Sequence, residues 1–174
     1  HRRMIDDLVQ AGHLDRELEA LPSDAELDTR EHGLSAPEFA VLFAYTKIVL
    51  EKELEDDPIS DEPWTADVLT NYFPTALRER YADRMPGHRL RREIVTTALV
   101  NEVVNRGGTS FVYRAMDESG ASAADVIRAY TVVRDVFGLR DLWAAIEAQD
   151  NRISPRHRSS STWRAAGSST VRSA

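Results

Sequence analysis

The sequence predicts an all-α protein, an irregular multi-helix bundle followed by a disordered C-terminal tail. Three observations lead to this fold class. Apolar residues recur every three or four positions in several segments, capping residues and glycines bound those segments, and no segment alternates with a period of two. A composition of 42% hydrophobic and 29% charged residues over 174 positions is typical of a folded protein.

The first 34 residues are interpreted as the end of a helical segment that begins upstream. Apolar residues follow helical spacing up to Gly12, which is placed to stop a helix. Residues 15–21 predict a short charged helix, and Ser23 can cap a further turn that reaches about Glu31. The first residue is not methionine, so we expect a longer product.

The strongest helix start lies at Ser35. A capping serine, Pro37 in the first turn and Glu38 at the third helical position predict a helix that begins at Ala36. The side chains predicted to line its inward face are Phe39, Leu42, Phe43, Thr46, Val49, Leu50 and Leu54. Further apolar residues widen this surface to Ile48, which predicts a largely enclosed helix.

Two short helices are predicted next, after an acidic, turn-rich loop over residues 57–63. The first runs over residues 64–73 and ends before Pro74, because the residue before a proline avoids helical geometry. The second starts at Thr75 and is expected to turn Leu77 and Tyr81 inward.

Residues 88–108 predict the central helix, around which the others pack. Its apolar stripe consists of Leu90, Ile94, Ala98, Leu99 and Val103. Gly107 and Gly108 supply the stop. Beside the stripe lie Asn101, Asn105 and Arg106, for which we favour interhelical hydrogen bonds over a ligand site.

Three more helices are predicted before the tail. The first follows Thr109 or Ser110 and ends at Gly120, the second opens at a capping box of Ser122 and Asp125, and the third covers residues 139–149. Residues 35–153 therefore form one helical domain. The aromatic side chains expected in its core are Phe39, Phe43, Tyr45, Trp64, Tyr72, Phe73, Phe111, Tyr130, Phe137 and Trp143.

The final segment, residues 154–174, differs abruptly in composition from the helical part. It is rich in serine and arginine, contains no acidic residue and has almost no apolar spacing. A segment of this kind buries too little apolar surface to order itself. We predict a disordered tail, and we hypothesise a shifted or truncated reading frame as its origin.

Composition argues against several classes of function. The chain has no cysteine, so disulfides, thiolate metal sites and cysteine nucleophiles are excluded. Its net charge of -7 disfavours binding to nucleic acid and to anionic lipid. No apolar run approaches the roughly 20 residues that span a bilayer. We therefore expect a cytoplasmic protein with neither nucleic-acid nor membrane partners.

The sequence yields no catalytic, cofactor-binding or metal-ligating residue. It lacks a glycine-rich nucleotide loop and a G-x-S-x-G elbow, and its five histidines are too far apart to form a helical ligand pair. The histidines are His1, His13, His32, His88 and His157. We interpret each of them as a surface or packing residue.

For two sets of charged residues we favour an interpretation other than ligand binding. Four acids lack the spacing of a calcium loop, so we favour a solvated loop for Asp56, Asp57, Asp61 and Glu62. Six arginines alternate with acids, which favours a salt-bridged surface over a phosphate site. The arginines are Arg78, Arg80, Arg84, Arg89, Arg91 and Arg92, and the acids are Glu79, Asp83 and Glu93.

Several separate segments occur in a characteristic order. They read SAPEFAVLFAYTK (35–47), YFP (72–74) with LRER (77–80), HRLRREI (88–94), NEVVNRGG (101–108) and GASAADV (120–126). Together they resemble the C-terminal region of the large bacterial NAD-specific glutamate dehydrogenases. The likeness covers the chain to about Asn151, and we expect it to fail beyond Ile153.

The resemblance implies a fragment of an enzyme that deaminates L-glutamate oxidatively to 2-oxoglutarate and ammonia while NAD is reduced. It also implies that the catalytic and NAD-binding domains precede this region, so no catalytic residue is carried over and the fragment alone is expected to be inactive. The region would pack against those upstream domains of the same chain and serve assembly of a homo-oligomer. The alternative is a free-standing helical protein-interaction module. An independent small enzyme has less support, because no catalytic set converges.

Overall fold

In the computed structural model the described residues are 1–149, and every regular element among them is helical. The α-helices are α1 (Arg2–Gln10), α2 (Asp24–Thr29), α3 (Ala36–Glu55), α4 (Thr65–Tyr72), α5 (Thr75–Tyr81), α6 (Arg91–Gly107), α7 (Phe111–Ser119), α8 (Ala123–Val136) and α9 (Leu139–Glu147). Two short 3-10 turns cover Pro58–Asp61 and Met85–Gly87. The predicted all-α fold class is confirmed.

Within the described residues the chain divides into two compact units, one over His1–Arg128 and one that begins at Ala129. The first unit holds α1 to α7 and the start of α8, and the second holds the rest of α8 and α9. The disordered tail predicted for residues 154–174 lies outside the described residues. The domain boundaries at residues 34 and 153 stay predictions.

Helix starts follow the capping signals in the sequence. At α3 the Glu38 carboxylate accepts a hydrogen bond from the Ser35 backbone N–H at 2.7 Å. At α8 the Ser122 hydroxyl accepts from the Asp125 backbone N–H at 3.1 Å. These bonds satisfy donors that the first turn of a helix leaves without an intrahelical partner, so the predicted starts at Ala36 and Ala123 are confirmed.

Helix α6 is the element around which the first unit packs. It contacts α3, α4, α7 and both 3-10 turns. Its buried side chains are Val95, Thr96, Leu99, Val100, Val103 and Val104, and those of α3 are Leu42, Thr46, Val49, Leu50 and Leu54. Full burial of one such aliphatic side chain contributes about 1.5–3 kcal/mol, so this pair of helices supplies much of the hydrophobic stabilisation. The predicted central role of α6 is confirmed.

The predicted inward stripe of α6 is only partly right. Leu99 and Val103 are buried as expected, but Leu90 precedes the helix and is exposed. Ile94 and Ala98 are half-buried, while Val95 and its neighbours on the next stripe take the core positions. Apolar residues form two overlapping stripes on this helix, and the packing of α3 and α4 selects one of them.

The N-terminal segment joins α3 through an apolar cluster. The buried members of the cluster are Met4, Ile5, Leu8, Leu14, Leu21, Leu42 and Val49. The predicted helix over residues 15–21 is absent, and these residues form turns. The Asp15 carboxylate accepts hydrogen bonds from the N–H groups of Glu17 and Leu18 at 3.0 Å each, and such local bonds compete with helix formation.

Two further predictions of burial are wrong, and a third is only partly right. Ile48 on α3 is 58% exposed, so that helix is not enclosed. Leu77 and Tyr81 of α5 are exposed as well. Among the aromatic residues expected in the core, Tyr72 and Phe137 are exposed and the others are half-buried. Polar partners hold the ends of two of these side chains, Tyr45 and Trp64. The Tyr45 hydroxyl, for example, donates to Glu19 at 2.6 Å.

Candidate functional site

The arginines of the stretch between α4 and α6 do not form the salt bridges that the sequence predicts. Within residues 1–149, Glu79, Asp83 and Glu93 pair with none of them. Arg92 instead donates to Asp61 at 3.0 Å and to the Glu55 carbonyl at 2.7 Å. The predicted partners are wrong because residues adjacent in the sequence of a helix, such as Arg92 and Glu93, point in different directions, and the side chain of Arg92 reaches acceptors that are distant in sequence.

Arg78 is held by neutral acceptors at the junction of α4 and α5. It donates to the Asn71 side-chain oxygen at 2.8 Å and to the Thr75 hydroxyl at 3.0 Å. Arg80 lies over the Tyr81 ring, with 5.3 Å between the guanidinium carbon and the ring centroid. In the described part of the chain, no carboxylate lies within 4 Å of Arg80, Arg84 or Arg89. These three guanidinium groups are therefore available to an external anion or carboxylate.

The acidic loop is only partly the solvated loop expected from the sequence, because Asp56 and Asp61 are exposed but Asp57 and Glu62 are half-buried. Asp57 accepts from the Ile59 N–H at 2.9 Å, and Ile59 and Ser60 are fully buried. Arg128 of α8 donates to Asp57 at 2.5 Å and to Glu62 at 2.6 Å. The guanidinium neutralises both carboxylates, so they are poor ligands for a hard cation.

Arg128 is the residue that sequence reasoning missed. It also donates to Asp125 at 3.0 Å, one turn earlier on α8, and this i, i+3 spacing was visible in the sequence. The pKa of Asp125 is lowered chiefly by the hydrogen bond from the Ser122 hydroxyl, with Arg128 acting in the same direction. The contacts to the acidic loop carried no sequence signal, because they join residues more than 60 positions apart.

Two amides of the polar set on α6 differ from the prediction. Asn101 is half-buried and Asn105 is exposed, and within residues 1–149 neither amide makes a side-chain hydrogen bond. Arg106 is exposed in the last turn of the helix. The predicted interhelical hydrogen bonds from Asn101 and Asn105 are therefore wrong.

Tyr113 of α7 packs against the apolar cluster that joins α1 to α3. Burial raises the pKa of Tyr113 to about 12, with further contributions from the charges of Glu53 and Asp7. Burial also raises the pKa of Glu53. A phenol with a pKa near 12 stays protonated at neutral pH, so Tyr113 cannot serve there as a general base.

His1 and His88 make ring contacts with phenylalanine side chains. The His1 ring meets the Phe39 ring edge-on at 5.5 Å, and the His88 ring lies 5.5 Å from Phe73. Over residues 1–149, no three residues of a metal-binding type come together. No helix in the same range has the length and apolar character that crossing a bilayer requires.

Comparison with known proteins identifies the family. Residues 31–166 match the family described as glutamate dehydrogenase, C-terminal. The chain belongs to this family. The resemblance drawn from the sequence is thereby confirmed. The match extends past Ile153 into the serine-rich and arginine-rich segment, so the expected end of the likeness at Ile153 is wrong.

Three relatives of this family member carry the same name, NAD-specific glutamate dehydrogenase. The protein from Halomonas elongata is 46% identical over 156 residues, which cover 88% of this chain and 10% of that protein. The Pseudomonas aeruginosa protein is 41% identical over the same shares. The Mycobacterium tuberculosis protein is 39% identical over 151 residues, covering 85% of this chain and 9% of that protein. The chain thus spans about a tenth of the length of these relatives.

Proposed function

We propose that this chain is the C-terminal helical part of an NAD-dependent glutamate dehydrogenase. The parent enzyme would convert L-glutamate, NAD and water to 2-oxoglutarate, ammonia and NADH. The observation that carries the proposal is the match of most of the chain to a C-terminal family and to relatives of that name. Glutamate and NAD would bind to the part of the polypeptide that lies outside this chain.

This part of the enzyme would act in packing and assembly and would not take part in the chemistry. Its surface supports that role, because several helices turn apolar side chains outward. Helices α5 and α9 have no buried residue, and Val136 and Phe137 at the end of α8 are 72% and 63% exposed. Exposed apolar surface of this kind marks sites of protein interaction.

The partners in this proposal are the upstream catalytic domains of the same chain and further copies of the full-length enzyme. The net charge of -7 supports the absence of nucleic-acid binding. The proposed location is the cytoplasm. A free-standing helical interaction module is the second candidate, because the outward apolar side chains would also suit a separate partner protein.

Two assays test the proposal. The full-length polypeptide that carries this sequence should reduce NAD in a glutamate-dependent reaction, and the purified 174-residue chain should not. Robust turnover by the 174-residue chain would refute the non-catalytic role. A gene that encodes only this chain, with no dehydrogenase domains upstream, would favour the interaction module.

A further inference from the structure

Helix α5 has little packing of its own within the described fold. It is seven residues long and contains no buried residue. Leu77 and Tyr81, its two large apolar side chains, are 42% and 36% exposed. Helices shorter than about 12–15 residues are marginal in water without tertiary packing. A partner protein that covers α5 would therefore stabilise this helix.

The outward face of α5 combines apolar and cationic groups. Leu77, Arg80 and Tyr81 stand at i, i+3 and i+4, so they share one side of the helix. Tyr72 at the end of α4 and Leu90 just before α6 are exposed apolar side chains as well. We call residues 72–92 the arginine corner.

Aromatic contacts tie the two ends of the arginine corner together. The Phe73 ring lies 5.5 Å from the Tyr72 ring in an edge-on contact and 5.5 Å from the His88 ring. Met85, in the 3-10 turn between them, is buried. The ring contacts and buried Met85 thus hold the arginine corner in place, while its other large apolar side chains remain exposed.

The arginine corner is positively charged in an otherwise acidic chain. It holds six arginines and two acids, whereas the whole chain has a net charge of -7. Arg80, Arg84 and Arg89 have no carboxylate within 4 Å among residues 1–149. A guanidinium group binds a carboxylate through two parallel hydrogen bonds, so three such groups beside apolar side chains match an acidic and apolar protein surface.

We propose that the arginine corner docks onto an acidic, apolar surface of the polypeptide that precedes this region in the parent dehydrogenase. The inference rests on the proposed function. The chain spans only 10% of the length of its Halomonas elongata relative, so most of the parent polypeptide lies outside this chain and can supply the docking partner. A second copy of the corner is a poor partner, because self-pairing would bring like charges together.

Cross-linking in the full-length enzyme tests the contact directly. Arg84→Lys with Arg89→Lys keeps both charges and introduces amines, which a carbodiimide couples to carboxylates in contact with them. The matched control is Arg114→Lys, because Arg114 on α7 is exposed and also has no acid within 4 Å among residues 1–149. The double variant should give a cross-link to an acidic peptide upstream of His1, and the control should give none there.

Hydrogen exchange gives a second, independent readout. The amides of residues 75–81 should exchange more slowly in the full-length enzyme than in the 174-residue chain. Leu77→Asp in the full-length enzyme should remove that difference, and Leu18→Asp, at a residue that is 80% exposed, should leave it unchanged. Equal exchange in the two proteins together with no upstream cross-link would overturn the docking proposal.

A cross-link from the arginine corner to another copy of residues 1–174 would also overturn the docking proposal, because the binding partner would then be a second copy of this region and not the preceding polypeptide. The outcome for the proposed function is separate. An active dehydrogenase without the cross-link and without protection refutes docking alone. A full-length protein that shows both but does not reduce NAD with glutamate refutes the proposed activity and leaves docking in place.

Discussion

Gly108 ends α6 in a backbone conformation that is nearly restricted to glycine. Its φ of 87° and ψ of 168° lie in a region that residues with a Cβ atom avoid, and its N–H donates to the Val104 carbonyl at 2.9 Å. The stop at this position was predicted from the paired glycines. The close approach of Phe111 was not, although a Cβ on Gly107 would lie 2.8 Å from the Phe111 ring.

Replacing Gly108 should therefore destabilise the chain. We expect Gly108→Ala to lower the free energy of unfolding by about 1–3 kcal/mol, because the substitution forces alanine into this strained conformation. Gly33→Ala is the control, since Gly33 has no positive φ and a Cβ there would meet no atom within 4 Å. Denaturant unfolding of both variants measures the difference. Equal unfolding midpoints would contradict the assignment of strain to Gly108.

The pKa of the Glu38 carboxylate is strongly lowered. The Arg30 guanidinium, followed by the Ser35 backbone N–H, lowers the pKa of Glu38 from 4.5 to about 2. Arg30 lies at the end of α2 and Glu38 in the first turn of α3, so the pair joins the two helices. The sequence predicted the Ser35 contact from the capping pattern but gave no sign of the Arg30 contact.

The lowered pKa of Glu38 has a defined pH dependence. Because the folded value lies below the unfolded one, the contribution of this carboxylate to stability is complete above about pH 4.5 and is lost as the pH falls towards 2. Arg30→Gln should raise the pKa of Glu38, while the Ser35 N–H keeps it below 4.5. A carbon NMR titration of the Glu38 carboxyl measures this shift. The Arg3→Gln control should leave the Glu38 titration unchanged, because Arg3 pairs with Asp117.

At the scale of elements, helix α3 shows which features of burial hydrophobic periodicity predicts and which it does not. The inward positions Leu42, Val49, Leu50 and Leu54 were predicted and are buried. Ile48 was predicted to be enclosed and is exposed, because no described element covers that side of the helix. On α6 the same reasoning selected the wrong stripe in part. Periodicity identifies apolar faces, but the neighbouring elements decide which face is covered.

Two neighbouring residues of α3 provide a matched test of that assignment. Leu50 is fully buried and Ile48 is 58% exposed. Leu50→Ala should cost about 2–5 kcal/mol, because it removes packed atoms and leaves a cavity. Ile48→Ala should change stability by about 0.5 kcal/mol or less. Thermal and denaturant unfolding measure both values. A larger loss for Ile48→Ala would show that this side of α3 is covered in solution.

At the scale of the whole molecule, Arg128 connects parts of the chain that are distant in sequence. It binds Asp57 and Glu62 in the acidic loop, and the side chains of all three residues are half-buried. The Trp64 indole N–H donates to the same Glu62 carboxylate at 2.6 Å. The sequence identified the acids and the helix that carries Arg128. It could not pair them, because long-range ion pairs have no periodic signature.

Removing the Arg128 charge should therefore destabilise the first unit. We expect Arg128→Met to cost about 2 kcal/mol, since two half-buried carboxylates lose their partner, with a discount for partial exposure. Arg3→Met is the control, because the Arg3–Asp117 pair is largely exposed and should contribute less than about 1 kcal/mol. Equal unfolding midpoints for the two variants would show that the Arg128 contacts are no stronger than a surface pair.

A substitution at the exposed end of α8 is expected to affect the 174-residue chain and the full-length enzyme differently. Val136 and Phe137 are 72% and 63% exposed, so Phe137→Ser in the 174-residue chain removes little packing. It should leave the unfolding temperature unchanged and reduce self-association in sedimentation, because less apolar surface meets water.

In the full-length enzyme, where we propose that such faces are covered, the same substitution should lower the unfolding temperature and weaken assembly. The Leu18→Ser control alters an exposed leucine in the N-terminal turns and should change neither protein. If Phe137→Ser leaves the full-length enzyme as stable as the unsubstituted protein, this face of α8 has no partner in the assembly. The role in packing would then have to depend on α5 and α9 alone.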